Sequence, residues 1–195
     1  MISTAFTLPV FLTRLLKISL VLCLLTTALS PLSHAQQLNT ESADAVKAAF
    51  LADIEVMREK FIGLAEAFPQ DTYTWRPMEG VRSVSEVLML IASEGYGFAP
   101  TALGGSAAMS REDSQGLAEI TDKAQVIDHL NKGFDHARTE IEAIDPATLV
   151  SARALFGRER STPELALFVA GDMHEHLGQL IAYARTNQIV PPWSR

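Results

Sequence analysis

The chain of 195 residues holds a single cysteine, Cys23. One thiol excludes a disulfide framework within the chain and any cysteine-rich zinc site. Aromatic residues make up 7%, and glycine and proline together number 20, so neither a collagen-like nor a low-complexity chain fits. Positive charge is in deficit: 16 basic residues stand against 23 acidic ones, a formal net charge of −7. That balance carries no electrostatic footprint for DNA or RNA, which rules against nucleic acid as a partner. Beyond residue 36 no stretch is apolar enough to span a bilayer. What remains is a chain that is 48% hydrophobic and long enough for one domain plus a targeting segment.

Residues 1–35 differ in character from the rest. Arg14 and Lys17 supply positive charge, and Ile18 to Leu29 is an uncharged, mostly apolar run of 12 residues. Ser33-His34-Ala35 then places small residues at −3 and −1 of a cut before Gln36. This is the three-part layout of a secretory signal peptide. The alternative, a retained anchor, is disfavoured because the run falls short of the ~20 residues a spanning helix needs. A lipoprotein site at Cys23 fits poorly, since Cys23 lies inside the apolar run between Leu22 and Leu24. Cleavage removes Arg14, Lys17 and Cys23 and leaves 14 basic and 23 acidic residues, a net of −9, with no thiol. The expectation is an exported, periplasmic protein, soluble once processed and suited to an oxidising compartment. It has no cysteine nucleophile.

Residues 36–195 read as one all-α domain with four amphipathic helices and no convincing strand. The first spans about 45–68, with Val46, Phe50, Ile54, Met57, Phe61, Leu64 and Phe68 on one stripe and Pro69 as its stop. The second starts at Ser83, where Ser83 and Glu86 have capping-box spacing. Val84, Val87, Leu88, Ile91 and Phe98 form its inner face, and Gly97 and Pro100 are expected to end it. Residues 100–121 form a Gly/Ser/Ala-rich connection, long for a compact bundle and a candidate for lining a site. The third helix is expected over 122–144 with Asp122 as cap. The fourth runs to about residue 186, with Thr162 as N-cap and Pro163 at the first helical position. Four apolar stripes sharing one core make a four-helix bundle.

Polarity interrupts the inner face of the fourth helix. Asp172 and His176 are four residues apart on its inward side, and Gln179 and Tyr183 continue that line. Burying a carboxylate and an imidazole unpaired costs several kcal/mol. Either a divalent metal or internal hydrogen bonds must hold them. His174 completes a His-Glu-His cluster, but residues two apart on a helix point about 200° apart. His174 and His176 therefore cannot both face one core site; His176 is favoured as the inward one and His174 as a surface or interface residue. Glu94 on the second helix lies near the inner face. It either completes a site, caps the helix end or faces solvent. His129 and His136 share a partly exposed face of the third helix, and Trp75 in the first loop is expected to cover the bundle end.

Several of these pieces match a known family. Trp75-Arg76-Pro77, the Val81-to-Leu88 start of the second helix, and the His174-to-Arg185 stretch with His176-Leu177-Gly178-Gln179 resemble the DinB-like (DinB/YfiT) superfamily of four-helix bundles. The Asn187-to-Ser194 ending resembles one of its branches. The resemblance covers residues 40–195. It implies a metal site of three histidines, one on the second helix and two on the fourth. It also implies kinship with thiol-dependent transferases and isomerases, and a homodimer. This chain departs from that pattern at two positions. Leu90 stands where the helix-two histidine is expected, and Asp172 stands four residues before His176 where the family often has histidine. Two readings follow. One is a bundle of unassigned activity with a degenerate or weakened site for a divalent ion, zinc or nickel. The other is a metal-dependent hydrolase or group transferase using Asp172 and His176. The small-molecule ligand is open on either.

Overall fold

The computed structural model describes residues 38–194. The expected leader, its cleavage point and Cys23 lie outside them. Four helices carry the bundle: α1 (Thr40–Ala67), α2 (Val84–Ser93) with its continuation, α5 (Lys123–Ala143) and α6 (Thr162–Thr186). α2 continues through a π turn, Glu94–Phe98, into the short helix α3 (Ala99–Leu103), and α4 (Arg111–Gly116) follows. One apolar core joins all four long helices. On α1 it takes Phe50, Ile54, Met57, Phe61 and Leu64, the stripe read from the sequence. On α5 it takes Val126, Leu130, Phe134, Ala137 and Ile141. No helix among the described residues is long and apolar enough to cross a membrane.

The caps explain where helices begin. Ser83 Oγ accepts from the Glu86 amide while Glu86 Oε2 accepts from the Ser83 amide at 2.6 Å, a complete capping box. Asp122 receives the Gln125 amide at 2.9 Å. α1 starts five residues earlier than its apolar stripe suggests, because Asn39 and Ser42 form a reciprocal cap that carries the helix over a polar first turn. At α6 the cap is Ser161, whose backbone N–H and hydroxyl both donate to Glu164 Oε2. Thr162 is therefore the first helical residue, not the cap, and its hydroxyl donates to the Leu149 carbonyl instead.

Two lysines tie α1 and α5 together end to end. Lys47, near the start of α1, donates to the Ile144 carbonyl at 3.0 Å at the end of α5. Lys123, the first residue of α5, donates to the Glu66 and Phe68 carbonyls at 2.7 and 2.8 Å at the end of α1. Each ammonium satisfies carbonyls that a helix terminus leaves without partners and sits at the negative end of the dipole. Between them Arg58 Nη1 reaches Asp135 at 2.6 Å and Nη2 reaches Asn131 at 3.1 Å.

Three further features depart from the sequence expectation. First, Gly97 and Pro100 do not end the second helix. Proline cannot donate to the carbonyl four residues back, here that of Tyr96. The π turn absorbs the mismatch, and the Ala108 amide donates to Tyr96 O at 2.7 Å in its place. Second, the 100–121 connection is not a bare loop but folds around α4 and a 3₁₀ turn at Leu117–Glu119. Third, the link before α6 contains a small hairpin, Arg153–Leu155 paired antiparallel with Arg158–Arg160. Its strands carry charge rather than apolar alternation, so the only sequence signal is the turn. There Gly157 takes φ +74°, and Phe156 takes φ +50°, a conformation unfavourable for a bulky residue.

α2 and α5 cross backbone to backbone. A Cβ on Gly95 would lie 2.6 Å from the Gly133 carbonyl, and one on Gly133 would lie 2.6 Å from the Ala92 carbonyl oxygen. Both neighbours are main chain and cannot yield cheaply. Gly133→Ala is expected to cost roughly 1–3 kcal/mol, read as a lower urea midpoint at unchanged slope. A midpoint equal to that of the parent would show that the crossing is looser than drawn.

Candidate metal centre

The crossing that brings α2 onto α5 also fixes Glu94, the residue before Gly95, as the helix widens into the π turn. Glu94 is only 9% exposed. α6 presents Asp172 and His176 across from it, both half-buried. One ligand atom from each of Glu94, Asp172 and His176 lies within 4.8 Å of the others. Two donors about 2.1 Å from one ion can be at most about 4.2 Å apart, so small torsional shifts close the set.

Two oxygens in this cluster have no conventional donor. Glu94 Oε2 and Asp172 Oδ2 are buried without a hydrogen-bond partner. His176 Nε2 stands 3.9 Å from Asp172 Oδ2, too far for a hydrogen bond. Orphaned carboxylate oxygens facing an imidazole nitrogen are what a cation would satisfy, and the donor set of two oxygens and one nitrogen fits a divalent transition ion. In the ion-free protein a proton does part of the same work. Burial, then the neighbouring Asp172 carboxylate, push the Glu94 carboxyl up to about 9, and the Arg82 charge opposes them only in part. At neutral pH Glu94 is therefore held as a neutral acid beside Asp172.

The other side of His176 is held by a directional chain. The Arg82 carbonyl can only accept, so the Tyr183 hydroxyl donates to it at 3.0 Å. That hydroxyl then accepts from Gln179 Nε2 at 2.7 Å, which turns Gln179 Oε1 toward His176 Nδ1 at 3.0 Å. Nδ1 must carry the proton. In the neutral ring the lone pair is then on Nε2, the nitrogen on the carboxylate side. Trp75 packs edge-on against the Tyr183 ring at 5.3 Å, so the first loop braces this chain besides covering the bundle end.

The remaining residues singled out from the sequence lie elsewhere. His174 is exposed and sits 3.0 Å from Asp53 on α1, away from the cluster. His129 pairs with the Tyr96 hydroxyl at 3.1 Å, and His136 Nε2 donates to the Ser106 carbonyl at 2.9 Å; both are half-buried. Leu90, one helical turn before Glu94, lines a groove of about 800 Å³ together with Arg76, Arg82, Met89 and Gln179. A second groove of about 470 Å³ is lined by Glu94, Phe98 and Thr101, and Ser93 and Ser114 border both. Arg82 escaped the sequence reading, because a lone arginine ahead of a helix cap carries no signal of what it faces.

The sequence profile of the DinB superfamily matches residues 53–180. No curated protein and no solved structure matches significantly.

Glu94 makes stability depend on pH in a direction opposite to most carboxylates. Between its ordinary 4.5 and about 9 the folded protein keeps a proton that the unfolded chain has released. Stability of the ion-free protein therefore falls as pH rises through that window. Urea midpoints of chelator-treated protein should drop from pH 5 to pH 9, and Glu94→Gln should flatten the trend. The same slope in that variant would assign the effect to other groups.

Proposed function

Because the chain belongs to the DinB superfamily, we propose that it is an exported divalent-metal protein whose site is rebuilt from Glu94, Asp172 and His176, and that it works as a hydrolase or group transferase. The observation that carries the reading is the pair of orphaned carboxylate oxygens facing the free Nε2 of His176. Glu94 supplies the third ligand that Leu90 cannot. Zinc or nickel is the expected ion, held more weakly than by three histidines because Glu94 must first lose its proton. When bound, the ion supplies Lewis acidity to a substrate oxygen or to a bound water.

The chain's own residues perform the rest. Gln179 and Tyr183 fix the tautomer of His176, so its lone pair is preset rather than selected at each binding event. Glu94 keeps its proton until an ion takes its place, so the pair is not forced to carry two like charges side by side. The adjoining grooves give a small molecule access from two sides.

Export is supported by the basic, apolar and small-residue layout of residues 1–35. A homodimer is supported by exposed Leu167 and Phe168 on α6 and Phe156 at the hairpin tip. A second reading has one observation in its favour. The proton that Glu94 keeps beside Asp172 stabilises the cluster with no ion at all, as in a bundle that has kept the fold and lost the activity.

Metal uptake separates the two readings. Chelator-stripped protein dialysed against micromolar Zn²⁺ or Ni²⁺ is expected to take up one ion per chain by elemental analysis, and His176→Ala to take up none. Gln179→Leu should weaken binding roughly 10–100-fold, and Leu90→His should tighten it. Absence of uptake by the parent leaves the cluster a hydrogen-bonded structural element.

A further inference from the structure

The groove of about 800 Å³ is within the range of small-molecule sites. It begins beside the metal cluster, since Gln179 lines it while bonding His176. Its walls combine an apolar strip, Val81, Met89 and Leu90, with two arginines. The arginines differ in their commitments. Arg76 is spent within the protein: Nη2 pairs with Glu86 Oε1 at 2.9 Å and Nη1 donates to the Val81 carbonyl at 3.1 Å. Arg82 is exposed, and among the described residues its guanidinium has no ion pair. Its backbone is nevertheless fixed, because its carbonyl accepts from Tyr183.

Glu86 is neutralised by Arg76, so the groove wall retains one positive charge, at Arg82. In a chain with an acidic excess, an unpaired guanidinium held on a rigid backbone in a concavity is a docking point for an anion. We infer that the groove binds a small carboxylic acid, its carboxylate on Arg82, its short hydrocarbon portion along Val81, Met89 and Leu90, and its reacting group toward Glu94, Asp172 and His176. A planar carboxylate matches the guanidinium fork, and a single arginine beside an apolar strip suits it better than a phosphate, which asks for more donors. The replacement of histidine by leucine at position 90 then has a positive consequence. It extends the apolar wall where a polar ring would have stood. This assignment deepens the metal-site reading and rests on it for the orientation of the ligand, but the Arg82 contact does not require an ion.

The test compares butyrate with its neutral isostere butyramide by ligand-observed NMR titration, on ion-loaded and chelator-stripped protein. Butyrate is expected to bind at least tenfold more tightly than butyramide in both states. Arg82→Gln, which leaves the backbone carbonyl in place for Tyr183, should abolish that preference, and Arg82→Lys should retain part of it. Equal binding of the two probes by the parent overturns the inference, as does a preference that survives in Arg82→Gln or is lost in Arg76→Gln instead. Elemental analysis of the same samples keeps the two ideas apart. A butyrate preference without ion uptake removes the metal site alone. Ion uptake without the preference removes the carboxylate site alone.

Discussion

Two carboxyl groups held close together, one buried and one half-buried, set the terms for the centre of this bundle. Charged, Glu94 and Asp172 would repel each other across a low-dielectric gap. The crossing of α2 and α5 at Gly95 and Gly133 leaves Glu94 little freedom to retreat. A proton on Glu94 relieves that repulsion in the ion-free protein. The widened turn at Glu94–Phe98 begins at Glu94, and the Gln179–Tyr183 chain holds the half-buried His176 beside the pair.

Much of the scaffold was legible because its signals are local. The stripe from Phe50 to Leu64 and the caps at Ser83 and Asp122 are set by residues three or four apart, and the structure reproduces them. The misreadings share a cause. Pro100 stops a helix only if its partner carbonyl goes unsatisfied, and the donor that rescues it, Ala108, comes from a later loop. Thr162 and Ser161 are equally good caps on paper, and the choice between them is made by Leu149, which claims the Thr162 hydroxyl. The hairpin before α6 has no apolar alternation to reveal it. Tertiary partners decide these cases, and they are invisible in a window of neighbouring residues.

The cluster divides in the same way. That Asp172 and His176 share a face follows from helical spacing alone. Whether Glu94 meets them depended on how α2 continues past Ser93, which no periodicity encodes. Glu94 stands one turn beyond Leu90 on the same helix, where the ladder of hydrogen bonds has been loosened by one residue.

The lysines that bind the ends of α1 and α5 close loops of different length. Lys123 meets Phe68 across 55 residues, whereas Lys47 meets Ile144 across 97. Loop closure at the nearer end is cheaper, by about half a kcal/mol. The Phe68–Lys123 contact therefore closes its loop at a lower entropic cost than the Lys47–Ile144 contact. The segment carrying α2 is the bight of the shorter loop, so the contact that closes it also brackets the helix leading to Glu94.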